Sequence, residues 1–351
     1  MLRSHSFSIF YSMKTHKIIL CFLTIFFLIL GSCDTTLEDY LELQRTMIPV
    51  KNIDELQTAL QKNGAVIGLL TDIEIPSTKL EITSGGTVTV FAWENNATLS
   101  PGPGFDSGDP LFNVINGTLI LGHSQSSGTL ILEGKDQRGA ALVRISPYSS
   151  TEAAACTMNS GVVIRGNKNT GDGGGVHVDN NGTFTMNGGE ISGNTAGDSG
   201  GGVHVFGGTF TMNGGVIGGN SASNNTGGGG GVFVHNGEFI MNNGAISNNE
   251  SRWNGGGVMI GGSGTFAMIN GTIRGNYAGA RGGGVCIGSS AQIRKTGGTV
   301  FGGHGSSNSN RVGDPSYDGI AVYVLGSSLY RNSTAGPDIR LDSGSGHNWG
   351  E

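Results

Sequence analysis

The chain has 351 residues, with 20 basic against 26 acidic side chains, 65 glycines, 8 prolines and 4 cysteines. The acidic balance opposes nucleic acid and anionic lipid as partners, because both are polyanions. Glycine-, serine- and asparagine-rich tracts are commonly flexible, but the scarcity of proline and the fixed phase of the apolar residues argue against a disordered chain.

The first element is a targeting segment. Lys14 and Lys17 precede an apolar run from Ile18 to Leu30 that is 13 residues long, whereas a membrane-spanning helix needs about 20. The run ends in Leu30-Gly31-Ser32-Cys33. This order of basic residues, apolar stretch, two small residues and cysteine resembles a bacterial lipobox. The resemblance implies thioether lipidation of Cys33, cleavage before it, acylation of the new amino terminus and a lipid anchor in a membrane. More than one acyl chain holds a protein on a bilayer stably. Loss of residues 1–32 leaves 17 basic against 26 acidic residues, a net charge of −9. Residues 33–51 are expected to be a lipidated tether.

Residues 52–64 predict a capping helix. Glu55 lies three residues after Asn52, as in a capping box, and Ile53, Leu56 and Leu60 line one face up to Asn63-Gly64. Such a helix would plug the open end of a coil, where apolar core and strand edge are otherwise exposed. Residues 65–172 hold short strand-like runs of less regular spacing, among them Val66–Leu70, Leu119–Leu121 and Leu142–Ile145.

Regular repetition begins at residue 173. Gly-Gly-Gly-Val recurs with its valine at Val176, Val203, Val232, Val258 and Val285, in steps of 27, 29, 26 and 27 residues. Phenylalanine follows at Phe184, Phe210, Phe239 and Phe266, methionine at Met186, Met212, Met241 and Met268, and isoleucine at Ile191, Ile217, Ile246 and Ile273. Periods of this length mark stacked repeats. Each apolar stretch alternates with period two, so each reads as a short strand. Asn-Gly and Gly-Gly pairs supply the corners. No stretch between them has helical period. The prediction is an all-β chain, a parallel β-helix with three strands in each rung of about 27 residues. Asn167, Asn194, Asn220, Asn249 and Asn276 align and are expected to form a corner ladder bonded from rung to rung. Residues 301–351 are expected to supply a last rung, resuming at Ile320–Val324, and a cap at Asp338–Leu341.

Cys21 leaves with the signal and Cys33 is lipidated in this reading. Cys156 and Cys286 lie five rungs apart, about 24 Å along the axis, and a disulfide needs Cα atoms within about 7 Å. Two free thiols are expected.

The glycine-rich corners and the Phe-x-Met strands of residues 156–300 resemble right-handed β-helix surface proteins of the pectin-lyase-like type. They also resemble, more loosely, the polymorphic outer-membrane protein repeats, which pair a Gly-Gly-apolar element with Phe-x-x-Asn. Phe184-Thr185-Met186-Asn187 fits that second element and Phe266-Ala267-Met268-Ile269 departs from it.

Polysaccharide lyases and hydrolases on such coils need acids in adjacent rungs of one column, or beside a base. Glu190 stands alone in its column, and Asp172 and Asp198 precede Gly-Gly-Gly-Val without a basic partner in view. No catalytic residue and no cofactor is assigned. His177 and His204 stack on adjacent rungs and point outward if the valines point inward, with Asp179 on the same face. Two imidazoles and a carboxylate could hold zinc. The reading adopted is a surface column that tolerates Phe233, Met259 and Cys286 in later rungs, and no metal is assigned. A richer patch is predicted at one set of corners, where Arg252 and Trp253 fall beside Arg281 with Tyr277 nearby. Exposed aromatic and arginine side chains favour carbohydrate or protein contact. The histidine column is expected to face a different side of the coil. These features describe a lipid-anchored bacterial cell-envelope protein, at the outer membrane or cell surface, that acts by binding or display. The alternative is a carbohydrate-active enzyme of the same fold with an unrecognised site.

Overall fold

The computed structural model describes residues 34–77, 79–106, 108–135, 138–302, 309–313 and 322–324. Cys33, the segment read as a signal and Asp338–Leu341 lie outside the described residues. Two compact units are distinguished, residues 1–47 and 48–351. In the first, the stretch read as a tether contains a helix, Asp34–Thr46, whose last residue donates from its hydroxyl to the Glu42 carbonyl at 2.8 Å.

The second unit is a right-handed parallel β-helix of about nine turns. It starts at the strand Ile48–Val50, ahead of the helix Ile53–Leu60. That helix begins where the sequence indicated. The Asn52 side chain accepts the Glu55 N–H at 2.9 Å, while the Glu55 carboxylate turns back to the N–H of Lys51, not of Asn52. Ile48–Val50 pairs directly with Val66–Leu69. The helix therefore stands where the first turn would otherwise have two further strands. Its Leu56, Ala59 and Leu60 are buried in the core of the coil, which keeps water from the apolar end.

Three parallel ladders run along the coil, and a fourth begins at Arg138–Gly139. A valine sheet contains Val176–Val178, a phenylalanine sheet Thr183–Met186 and an isoleucine sheet Glu190–Ser192. The fourth is a ladder of two-residue strands such as Thr195–Ala196, at the corner that the sequence suggested was only a turn. The predicted columns are in register: Val176 pairs with Val203, Phe184 with Phe210, Met186 with Met212 and Ile191 with Ile217. Val322–Val324 resumes the valine sheet beside Val285–Ile287.

Alternation decides what is inside. Val203, Val205, Phe210, Met212 and Ile217 are fully buried in one turn, and each such side chain contributes about 1.5–3 kcal/mol. The rings of Phe210 and Phe239 stack at 4.8 Å, and those of Phe239 and Phe266 at 4.9 Å, which is the spacing of paired strands. The methionines explain one glycine column. Gly215, Gly244, Gly271 and Gly298 have positive φ, and a β-carbon at any of them would lie 2.6 Å from the methionine Cε of the turn before.

The asparagine ladder forms as expected and extends one residue further, to Asn310. Each asparagine accepts the backbone N–H of the asparagine one turn before it, from Asn194 to Asn167 at 3.1 Å through Asn310 to Asn276 at 2.9 Å. Its Nδ2 donates to an isoleucine carbonyl, as Asn220 does to Ile191 and Asn249 to Ile217. These amides are buried and satisfy corner groups that water cannot reach. A second, exposed ladder joins the side chains of Asn159, Asn187, Asn213 and Asn242. Cys156 and Cys286 are free and buried, and burial pushes the Cys286 thiol up to about 12.

Candidate functional site

The outer face of the valine sheet carries the richest chemistry among the described residues. In each strand the two valine-type residues point into the core, so the residue between them points out. Register places Arg144 beside His177, His177 beside His204 and His204 beside Phe233. Met259, Cys286 and Tyr323 continue this column. A second column lies two residues on, where Phe206 pairs with His235 and Asp179 takes the preceding place.

The column changes character along the coil. At its charged end, Asp179 accepts from Arg144 Nε at 2.8 Å and lies 3.2 Å from His177 Nε2. The other ring nitrogen of His177 is 3.2 Å from the Asp172 carbonyl oxygen. Burial alone would raise the Asp179 carboxyl, but the hydrogen bonds from His177 and Arg144 outweigh it and hold the group down to about 2. Asp172 goes the other way: burial, helped by the charge of Asp198, raises its carboxyl, against the opposing pull of His177 and Ser199. An open groove of about 480 Å³ runs past Arg144, Asn169, Asp172 and His177.

The aromatic middle follows. His177 meets His204 edge-on with centroids 4.7 Å apart, and His204 stacks on Phe233 at 5.2 Å. Phe206 stacks on His235 at 5.4 Å with 16° between the planes, and Phe206 is 39% exposed. The far end is apolar and covered, with Met259, Cys286 and Tyr323 buried as a cluster against which Phe233 packs.

Three readings of the sequence change here. The histidine column is not a solvent-facing row, since His204 is only 3% exposed. Burial, with the nearby His177, lowers the His204 imidazole to about 3 and leaves it neutral. The zinc set does not assemble. Both ring nitrogens of His177 are engaged, and among the described residues no group of three or more histidine, cysteine or carboxylate side chains is placed to share an ion. Finally, an acid does meet bases on adjacent rungs, through Arg144, His177 and Asp179. The signal for Arg144 was its place between Val143 and Ile145, but the 33-residue step from Val143 to Val176 hid the alignment. Phe206 and His235 were missed because they stand just past the valines that define the repeat.

The predicted corner patch is brought together by its backbone. Glu250 pairs with Tyr277, Asn254 bridges Arg281, and Ala280 N–H donates to the Trp253 carbonyl at 2.8 Å. Arg252 is exposed, Trp253 is 38% exposed and Tyr277 is half-buried. The Arg281 guanidinium carbon lies 5.3 Å from the centre of the Tyr323 ring. Tyr323 belongs to the same outer column as His177 and His204, so Arg281 reaches the far end of that column.

Comparison with protein-family models, characterised proteins and solved structures gives no match to this chain.

Proposed function

We propose that this protein is a lipid-anchored cell-envelope β-helix that binds a saccharide along the outer face of its valine sheet. The observation that carries the proposal is the exposed Phe206–His235 stack between the charged groove and the covered apolar end. Flat aromatic faces with polar groups beside them suit a ring that is apolar on its faces and hydroxylated at its edge. The Leu-Gly-Ser-Cys sequence supports the anchor at Cys33, and the resemblance to β-helix surface proteins supports display outside the cell.

Two measurements test this reading. A glycan array probed with the purified chain and with Phe206→Ala is expected to give saccharide ligands whose signal falls in the variant. Binding of proteins but no saccharide would overturn the ligand class. Cys33→Ala is expected to abolish acylation and leave uncleaved precursor in cells. Normal processing of that variant into a soluble product would remove the anchor.

A second reading, a glycan-cleaving enzyme, is favoured by one observation. Asp172 and Asp179 flank His177 and have their carboxyls shifted in opposite directions, a pattern found where one acid donates a proton and another stays charged. Shortened or unsaturated sugars released from the array ligands would establish it.

A further inference from the structure

We propose that Arg144 forms a subsite for a carboxylate group carried by the saccharide. This rests on the saccharide reading above and names the ligand's chemistry.

Val143 and Ile145 are fully buried, so the backbone aims the Arg144 side chain outward, beside the groove. A guanidinium offers five N–H donors in a planar fork. Asp179 takes only the Nε edge. Among the described residues no hydrogen bond uses the two terminal nitrogens, and the side chain is 45% exposed. The pair therefore works as an oriented donor: the carboxylate below fixes the plane, and the outer fork remains available to a second planar acid. Two parallel N–H···O bonds from such a fork match a carboxylate in geometry as well as charge.

The rest of the groove selects among anions. Asp172 lines it as well, and its carboxyl is an acceptor for sugar hydroxyls. A singly charged carboxylate on a hydroxylated ring satisfies both ends of this arrangement. A multiply charged phosphate would meet more repulsion at Asp172 than a singly charged carboxylate does. The bond to Asp179 also keeps Arg144 from folding back onto the sheet, so little side-chain entropy is lost when the ligand arrives.

The test uses matched oligosaccharides in three forms: with a free carboxylate, with that carboxylate as its methyl ester, and with a sulfate in its place. Titrated into the unaltered full-length chain, the free acid is expected to bind roughly tenfold more tightly than the ester, the scale of a charge-assisted bidentate pair. Arg144→Gln is expected to erase the acid-over-ester ratio and Arg144→Lys to reduce it, because lysine keeps the charge without the fork. Equal affinity for acid and ester, a preference for the sulfated form, or an undiminished preference in Arg144→Gln would each overturn the subsite. The acid-to-ester comparison needs no variant, so it decides even if a substitution at Arg144 folds poorly. Ester binding without acid preference sinks this subsite alone. Absence of any saccharide binding sinks the saccharide reading and the subsite with it.

Discussion

The Asn220 side chain accepts the backbone N–H of Asn194 at 3.0 Å and its own Nδ2 donates to the Ile191 carbonyl at 2.8 Å. One buried amide thus serves two backbone groups of the preceding turn. Asn220→Ala leaves both groups buried without partners, at about 1–3 kcal/mol each. The expected loss of stability is about 3 kcal/mol, against less than about 0.5 kcal/mol for Asn213→Ala in the exposed ladder. Urea unfolding of the two variants checks this. Equal costs would mean that the buried ladder is no stronger than its exposed counterpart.

Phe210 is fully buried, whereas Thr211 stands on the outer side of the same strand. Phe210→Ala is expected to destabilise the coil by about 3–5 kcal/mol, the range for a buried phenylalanine. Thr211→Ala is expected to change it by less than about 0.5 kcal/mol. Thermal unfolding measures both, and similar values at the two sites would reverse the assignment of inner and outer faces.

Acid is expected to weaken the fold through His204. Its imidazole is lowered from 6.5 to about 3 by burial and by His177, so between those pH values the unfolded chain binds a proton that the folded chain refuses. Stability is then intact above about pH 6.5 and declines as pH falls toward 3. His204→Phe, which extends the stack from Phe233, is expected to flatten the decline over that window. Superimposable pH profiles of melting temperature for the two proteins would show that His204 takes up no proton on unfolding.

Trp253 sits on the corner beside Arg281, which reaches the outer column of the valine sheet proposed to bind the ligand. Trp253→Ala is expected to weaken saccharide binding by about 2 kcal/mol, the scale of an aromatic hot spot, with the melting temperature unchanged because the ring lies outside the core columns. Calorimetric titration beside a melting curve separates the two effects. Unaltered affinity in a folded Trp253→Ala chain would confine the ligand to the valine sheet.

The repeat itself was readable in the sequence. Valine, phenylalanine, methionine and isoleucine recur at one period and alternate within each strand, and stacking in register is the arrangement that buries all four columns at once. The asparagine ladder was readable for the same reason, since a polar residue held in phase with a buried column needs a partner at each turn. The fourth ladder was not, because its two-residue strands are too short to show alternation. The make-up of the valine sheet's outer face was decided by tertiary structure. A column's sequence says which residues follow one another from turn to turn, but not what lies over them: His204, Met259 and Cys286 point away from the core and are buried all the same. Arg144 met Asp179 and His177 only when a turn of 33 residues was closed to the same height as the 27-residue turns around it. Loop length varies freely at little cost, whereas strand spacing is held by hydrogen bonds. Residues far from periodic in the sequence are thus brought into contact by the coil.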